Sequence, residues 1–267
     1  MKRAIAPSLL ALAVLASPGA LASDAAWDAP FTLQLGAFRA DANTTVRLDT
    51  TNGNHGTELG FESDLGMTKT KTLPDIEFLY RFNSRHGIEG SWVNLKRSGE
   101  RTVTGEIHWG DVVFPVNTAV DSSFDSNVFR VAYRYSPINE NGNELALLLG
   151  AHYTSIKTSL SGRAGNISQE ASVDVPLPTL GVRGSARFAD GWRVTGFGQF
   201  LKLKIGDYDG ELVNASAAVE WAFLPQAYGG VGYVYYHYKL TSEKERARGE
   251  FKYRFDGPTV YLAWTFR

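Results

Sequence analysis

The sequence has no cysteine, only two methionines and no excess of charge of either sign. Without cysteine the chain has no disulfide framework, no thiolate metal site and no cysteine nucleophile. Its 267 residues include 27 Lys and Arg against 28 Asp and Glu, so it lacks the basic excess that favours binding to phosphate backbones. Beyond residue 22 no stretch approaches the ~18 consecutive apolar residues of a membrane-spanning helix. We therefore expect neither a nucleic-acid partner nor a helical membrane anchor.

The first 22 residues have the pattern of a secretory signal peptide. Lys2 and Arg3 form a positively charged start, residues 4–16 are largely apolar, and Ala20-Leu21-Ala22 is a small-residue cleavage site. We expect residues 1–22 to be removed on export and residues 23–267 to form one domain.

The rest of the chain is rich in glycine and aromatic residues, and its apolar side chains recur at alternate positions. Phe31, Leu33 and Leu35, for example, alternate with Thr32 and Gln34. A period of two indicates β-strands with two different faces, and the predicted fold is all-β. Eight or twelve strands are open alternatives to a count of about ten. The ten strands are predicted at residues 30–40, 73–82, 86–99, 122–136, 144–160, 170–188, 191–205, 211–224, 227–240 and 250–267.

Short and long connections alternate between these strands. Residues 41–72, 100–121, 161–169, 206–210 and 241–249 are longer or more polar than the intervening turns. This asymmetry is typical of a transmembrane, antiparallel up-and-down β-barrel with short periplasmic turns and external loops. For residues 41–72 the sequence does not distinguish between a loop, an extra hairpin and a plug.

The apolar side of the last strand changes parity along its length. Phe251, Tyr253 and Phe255 occupy odd positions, whereas Val260 and Leu262 occupy even ones. A change of parity within one strand indicates a β-bulge or a break. We therefore predict an irregularity at Gly257-Pro258.

Charged residues lie opposite the apolar stripe of several strands. In a soluble β-sandwich, which also alternates, such residues are merely solvated. In a barrel of about ten strands the interior has little room for bulk water, and opposite charges would pair there. Export, the lack of membrane helices and the alternation of turns and loops favour the barrel. The predicted charge network of the lumen comprises Asp75, Glu77, Arg81, Glu89, Arg130, Arg134, Arg183, Arg187 and Glu220.

The last seven residues before Arg267 carry a family resemblance. Val260, Leu262, Trp264 and Phe266 alternate with other residues, and this segment resembles the closing strand of bacterial outer-membrane β-barrel proteins. That resemblance implies recognition by the barrel-assembly machinery, although Arg267 after the terminal aromatic departs from the pattern. In general pattern residues 30–267 resemble small barrels of the outer-membrane protein A and outer-membrane protein W type. Leu73-Pro74 and Leu177-Pro178, each before an alternating strand, are similar to the latter.

His152 is the strongest catalytic candidate, because Thr154 and Ser155 follow it on the same predicted strand. A histidine beside a hydroxyl and a carboxylate activates the oxygen for acyl transfer, and barrel enzymes that deacylate lipid A use a His-Ser-Glu set. No acid is identified here, and a structural, hydrogen-bonded histidine is the preferred interpretation. The chain also resembles omptin-type barrel proteases in strand number, but it lacks an Asp-x-His motif.

Two loop segments have weaker chemical signals. Residues 207–210 (DYDG) place two carboxylates in a predicted tight outer loop, where Asp and Gly are also common for backbone reasons. The basic run from Lys244 to Arg248 is a candidate contact for lipopolysaccharide phosphates, or simply a solvated loop. Neither pattern specifies a metal site.

These observations predict an outer-membrane protein of a Gram-negative bacterium with a charge-filled lumen and a structural or surface-interaction role. The alternatives are a narrow channel for small or apolar solutes and a lipid A-modifying or proteolytic barrel enzyme. The expected partners are outer-membrane lipid, lipopolysaccharide and the assembly machinery, and no cofactor is expected. The oligomeric state is open.

Overall fold

A computed structural model describes residues 26–163, 167–244 and 248–267, so the predicted signal peptide lies outside the described residues. Ten long strands form one antiparallel sheet in which each pairs with its neighbours along the chain. The barrel strands are β1 (Phe31–Leu48), β3 (Thr70–Arg81), β4 (His86–Thr102), β7 (Ala119–Glu140), β8 (Asn143–Gly162), β9 (Ile167–Ala189), β10 (Trp192–Ile205), β11 (Tyr208–Leu224), β12 (Ala227–Ser242) and β13 (Gly249–Phe266).

The first and last strands close the sheet into a barrel. β1 pairs antiparallel with β13 from Phe31↔Phe266 to Leu48↔Gly249. Closure leaves no edge at the end of the sheet. The predicted all-β barrel of ten strands is confirmed, and eight and twelve strands are excluded.

The connections divide the barrel into two ends. At the end that we call the turn end, residues 82–85, 141–142, 190–191 and 225–226 join successive strands. At the loop end, most connections are longer. The predicted connection at 206–210 is shorter in the structure, because only residues 206–207 lie outside the strands there. Gly206 adopts a φ of 55°, which glycine tolerates without strain, so Tyr208 and the residues after it stay in the ladder.

Residues 41–72 contain the hairpin that was one of the alternatives for this segment, and they add no further strand to the ten of the barrel. β1 continues to Leu48 and pairs there with the short β2 (Glu58–Gly60). Residues 61–69 then return to the start of β3 and bury Phe61, Leu65 and Met67 toward the interior.

A second short hairpin lies across the mouth of the loop end. It consists of β5 (Ile107–Trp109) and β6 (Val112–Phe114), and it contacts β1 and β9. Trp109 and Phe114, which belong to this hairpin, are fully buried. The hairpin therefore caps the barrel with apolar side chains.

The apolar side of the strands changes between the two halves of the barrel. Near the turn end of β1, Leu35 points outward and is exposed, whereas toward the loop end Phe38, Ala40 and Ala42 are buried inside. The outward apolar residues form a band that we call the apolar belt. Its most exposed members include Leu149, Tyr153, Leu180, Val182, Phe188, Val194, Phe200, Val231, Tyr233, Val260, Leu262, Trp264 and Phe266.

This change of side, and not a bulge, explains the change of parity from which an irregularity at Gly257-Pro258 was predicted. β13 pairs with β12 in continuous register from Ala227↔Trp264 to Ser242↔Gly249, whereas its ladder with β1 is interrupted between Phe38↔Thr259 and Asp41↔Asp256, opposite Gly257-Pro258. Phe255 faces the interior and Val260 faces outward, as a regular alternation requires. The parity changed because the environment changed along the strand, not because the strand broke.

Within residues 26–163, 167–244 and 248–267, no helix has the length and apolarity needed to span a bilayer.

Candidate functional site

The centre of the lumen at the turn end is a buried carboxylate held by three guanidinium groups. Glu89 accepts hydrogen bonds from Arg130 Nη1 at 2.6 Å, Arg134 Nη1 at 2.8 Å and Arg183 Nη2 at 3.3 Å. Only 3% of the Glu89 side chain is exposed. Charge-assisted hydrogen bonds of this kind compensate the desolvation that the isolated carboxylate would suffer.

A second carboxylate, Glu144, extends the network toward the turns. Its oxygens accept hydrogen bonds from Arg134 Nε at 2.8 Å, Arg81 Nη2 at 3.1 Å and Ser136 Oγ at 2.5 Å. Arg134 thus bridges Glu89 and Glu144. Sequence reasoning missed Glu144 because the strand beginning there is apolar on both faces, which obscures the alternation.

A separate ion pair closes the turn end. Arg193 pairs with Glu220, which also accepts a hydrogen bond from Tyr261 OH at 2.6 Å. The Arg193 guanidinium lies 3.8 Å from the ring centroid of Trp27, and that ring packs against Tyr228 at 4.8 Å. Trp27 therefore packs across the turn end of the barrel, where cation–π and aromatic contacts hold its ring. No sequence signal marked Trp27 or Arg193 for this position.

The remaining members of the predicted network lie around this centre. Glu77 lies 3.6 Å from Arg183, and Asp75 accepts a 3.5 Å hydrogen bond from Thr259 Oγ1. Arg187 lies at the turn itself, where its Nη2 is 3.0 Å from Asp190.

Charge is concentrated in the turn-end half of the lumen, and the fully buried Arg97 adds an ion pair with Glu62 in the loop-end half. Toward the loop end the inward positions include a cluster of aromatic residues. Tyr236 stacks on Phe255 with ring centroids 4.7 Å apart, and Phe124 lies 5.8 Å from Phe251. Such pairs add stabilisation to the area that they bury. Outside the apolar belt the outer surface is polar, so the interior of this half is packed like the core of a water-soluble protein.

His152 lies between the two halves and does not form a catalytic set. Its Nε2 is 2.6 Å from Gln199 Oε1, and Gln199 Nε2 donates to Thr179 Oγ1 at 2.5 Å. Only 1% of His152 is exposed. Among the described residues no carboxylate pairs with it, and Ser155 points away from the lumen. The arrangement fixes the imidazole but supplies neither the acid nor the substrate access that acyl transfer needs.

Small cavities interrupt the packing of the interior. One, of about 60 Å³, lies beside Trp27, Arg81 and Glu144. Another, of about 70 Å³, lies beside Asp75 and His152. Each has room for only a few waters.

The loop end is anchored by a carboxylate above the apolar belt. Asp49 accepts hydrogen bonds from Arg47 Nε at 2.8 Å and from the Gly56 amide at 3.0 Å. Burial by itself raises the pKa of Asp49, but the Gly56 amide and the Arg47 guanidinium outweigh it and hold that pKa below its usual value. The ionised carboxylate thereby fixes the turn that joins β1 to β2.

The weaker loop candidates do not converge on a site. Tyr208 lies in β11, and the Lys244 ammonium is 4.9 Å from the centroid of its ring. Arg248 donates to the Glu243 carbonyl at 3.5 Å. The middle of the basic run, residues 245–247, lies outside the described residues.

The four residues of the proposed assembly signal share one face of β13. Val260, Leu262, Trp264 and Phe266 all point outward and are exposed. Phe266 contacts Phe31 of β1 with ring centroids 5.6 Å apart, beside the seam where the barrel closes.

No protein-family model matches the chain, and the comparison with curated proteins finds no match. Among solved structures, the outer membrane protease OmpT from Escherichia coli is similar, with a TM-score of 0.57, 10% identity and coverage of 88% of this chain and 96% of that chain. Ail of Yersinia pestis aligns with a TM-score of 0.39 at 14% identity, covering 88% of this chain and 99% of that chain. OprG from Pseudomonas aeruginosa aligns with a TM-score of 0.32 at 13% identity, covering 91% of this chain and 99% of that chain. The predicted resemblance to small outer-membrane β-barrels is confirmed at the level of fold.

Proposed function

We propose that this protein is an integral outer-membrane β-barrel with a sealed interior and a structural or surface-interaction role at the loop end. The apolar belt supports the membrane position. On β13 it runs from Pro258 to Phe266, roughly 30 Å of strand at ~3.3 Å per residue. With the usual strand tilt this matches the ~25 Å apolar band of such barrels.

Signal peptide and closing strand are consistent with this location. Residues 1–22 would direct export. Val260, Leu262, Trp264 and Phe266 would then be read by the barrel-assembly machinery before Phe266 docks beside Phe31.

The observation that carries the sealed interior is its filling from end to end. Trp27 and the Arg193–Glu220 pair close the turn end, and the network around Glu89 fills the next layer. Aromatic packing and the β5–β6 hairpin close the loop end. A narrow channel would require several of these layers to move together, and an enzyme built on His152 would have no route for its substrate.

The test is single-channel conductance of the full mature chain inserted in a planar bilayer, with a general porin as the positive control. A sealed interior predicts no steady open current at moderate voltage. Steady currents from protein whose folded state has been checked on a gel would contradict the proposal and favour the channel.

Because strands extend beyond the belt, the loop end would project from the membrane. On β8, outward residues from Ser155 to Ser161 are polar. This projecting rim is the surface that a role in external interactions would use.

A further inference from the structure

Strands β3 and β4 are hydrogen-bonded over an unusually short length. They pair only from Ile76↔Trp92 to Arg81↔Gly87. Above this point β3 follows β1 up to Thr70, whereas β4 follows β7 up to Thr102. A seam without ladder hydrogen bonds therefore opens in the barrel wall, directly above the apolar belt.

Residues 61–69 cover this seam with side-chain contacts instead of a ladder. Arg97 of β4 pairs with Glu62, and Arg101 Nη1 donates to the Ser63 carbonyl at 2.6 Å. The backbone of Leu65 lies so close to Gly99 that a Cβ at position 99 would clash with the Leu65 carbonyl oxygen. The covering segment is thus docked on β4 without continuing the sheet.

Lys71 crosses the lower part of the seam. The strand alternation would direct this residue inward, next to Leu73 and Asp75, yet Lys71 is exposed and its ammonium donates to the Lys96 carbonyl. An open notch of about 430 Å³ is left beside it. The notch is lined by Thr68, Lys71, Lys96, Arg97 and Ser98.

The wall around the notch has more positive than negative charge. Lys69 lies 3.4 Å from Asp41, and Lys96 lies 3.2 Å from Asp125. Among the described residues neither Arg39 nor Lys71 has a carboxylate partner. Both are exposed, so their charges are available to an external anion.

Other parts of the outer wall are more nearly neutralised. On β12 and β13, Lys239 and Lys252 share Glu250 at 3.0 and 2.6 Å, and Arg254 pairs with Asp256 at 3.1 Å. Within the described part of the chain, the wall at the notch therefore has two exposed cations without a carboxylate partner, Arg39 and Lys71, whereas Lys239, Lys252 and Arg254 on β12 and β13 are all paired.

The position of the notch relative to the apolar belt indicates which layer of the membrane it contacts. Pro74 on β3 and Trp92 on β4 are the last outward residues of the apolar belt on this wall. Lys71 is three residues beyond Pro74 and Lys96 is four beyond Trp92, so both lie roughly 10–13 Å further along the strands at ~3.3 Å per residue. With the strand tilt, that is the depth of lipid headgroups next to a membrane.

We propose that this notch binds the phosphate groups of a phosphorylated glycolipid in the outer leaflet. Lys71 and Lys96 approach from the two sides of the seam, and the hydroxyls of Thr68 and Ser98 are additional donors to phosphate oxygens. The bound lipid would bridge the two unpaired strand edges and so stabilise the weakest seam of the barrel. This assignment rests on the proposed membrane position of the apolar belt.

The experiment measures binding of bis-phosphorylated lipid A to the full mature chain folded in detergent micelles, by native mass spectrometry. Lys71→Gln and Lys96→Gln should each weaken binding about fivefold, and the double variant about 25-fold, since each basic residue near a charged lipid surface contributes roughly one such factor. Lys71→Arg should retain binding because it keeps the charge. Lys204→Gln, which removes an exposed lysine on β10, is the matched control and should bind like the unsubstituted protein.

Two comparisons identify the ligand chemistry. Dephosphorylated lipid A should bind much more weakly, and millimolar inorganic phosphate should compete poorly. Equal binding of the dephosphorylated lipid, full competition by inorganic phosphate, an unaffected double variant, or an equal loss in Lys204→Gln would each overturn the proposal. Unboiled gel mobility is recorded for every variant, so a failure to fold, which would contradict the membrane barrel itself, is distinguished from a loss of lipid binding.

Discussion

At the scale of single residues, the buried charged side chains of the lumen near the turns stabilise the fold only as a complete network. Glu89 is almost completely buried and is balanced by Arg130, Arg134 and Arg183. Removing one member of a buried network leaves the others desolvated and unpaired, which costs more than the original pairing gained. Exposed ion pairs lack this penalty because water replaces the lost partner.

Glu89→Ala is therefore expected to lower the free energy of unfolding by about 3–5 kcal/mol. Glu100→Ala, which removes an exposed carboxylate 2.7 Å from Arg163, should lower it by less than about 1 kcal/mol. Reversible denaturant titration of the folded barrel, followed by tryptophan fluorescence, measures both. Equal effects of the two substitutions would show that the lumen network is not desolvated.

At the scale of the strand, the change of apolar side is the informative feature. In β13, Phe255 and the odd residues before it pack inside, whereas Val260, Leu262 and Trp264 point outward. A strand of uniform environment would keep one apolar parity throughout. The level of the change therefore reports where the outer surroundings turn from apolar to aqueous.

Leu262→Lys, near the middle of the belt on β13, is expected to destabilise the barrel in lipid by about 2–4 kcal/mol, because the ammonium would face hydrocarbon. Ser161→Lys, at an outward position above the belt on β8, should change stability by no more than about 0.5 kcal/mol. Folding titrations in phospholipid vesicles provide the comparison. If Leu262→Lys were as well tolerated as Ser161→Lys, the belt would not face lipid.

At the scale of the whole molecule, the closed sheet of the barrel and its packed interior stabilise the fold together. The β1–β13 ladder removes the terminal edges of the sheet. The interior is occupied mainly by charge pairs in the turn-end half and by an apolar core that includes the Arg97–Glu62 pair in the loop-end half. Such a barrel gains little by opening locally, because most of its backbone hydrogen bonds lie within the closed ladder.

The mature chain is expected to be heat-modifiable. In cold SDS the closed barrel should remain compact and migrate faster than the boiled, unfolded chain. Electrophoresis of detergent-extracted protein with and without boiling is the measurement. Identical mobility, together with recovery of a monomer in buffer without detergent, is the result that the membrane barrel forbids.

The local alternation of residues predicted the strands, because each strand has one face in each of two different environments. It favoured about ten strands and left eight and twelve open, and the prediction of a closed barrel also needed the export signal and the alternation of short and long connections. The alternation of residues was also sufficient to select most of the buried charges, including Glu89, Arg130 and Arg134. These features follow from a pattern that repeats every two residues, so they can be recognised without knowing any contact between residues far apart in the chain.

Only the tertiary structure decided the rest. Arg193 and Trp27 are held in the interior by contacts with residues far away in the chain, which no local pattern reports, and Glu144 lies at the start of a strand that is apolar on both faces, so its alternation is hidden. The parity change near Gly257 looked like a break in the strand, because the sequence states which side of a strand is apolar but not which side is inside. That distinction depends on what surrounds the barrel at each height, and it exists only once all ten strands are in place.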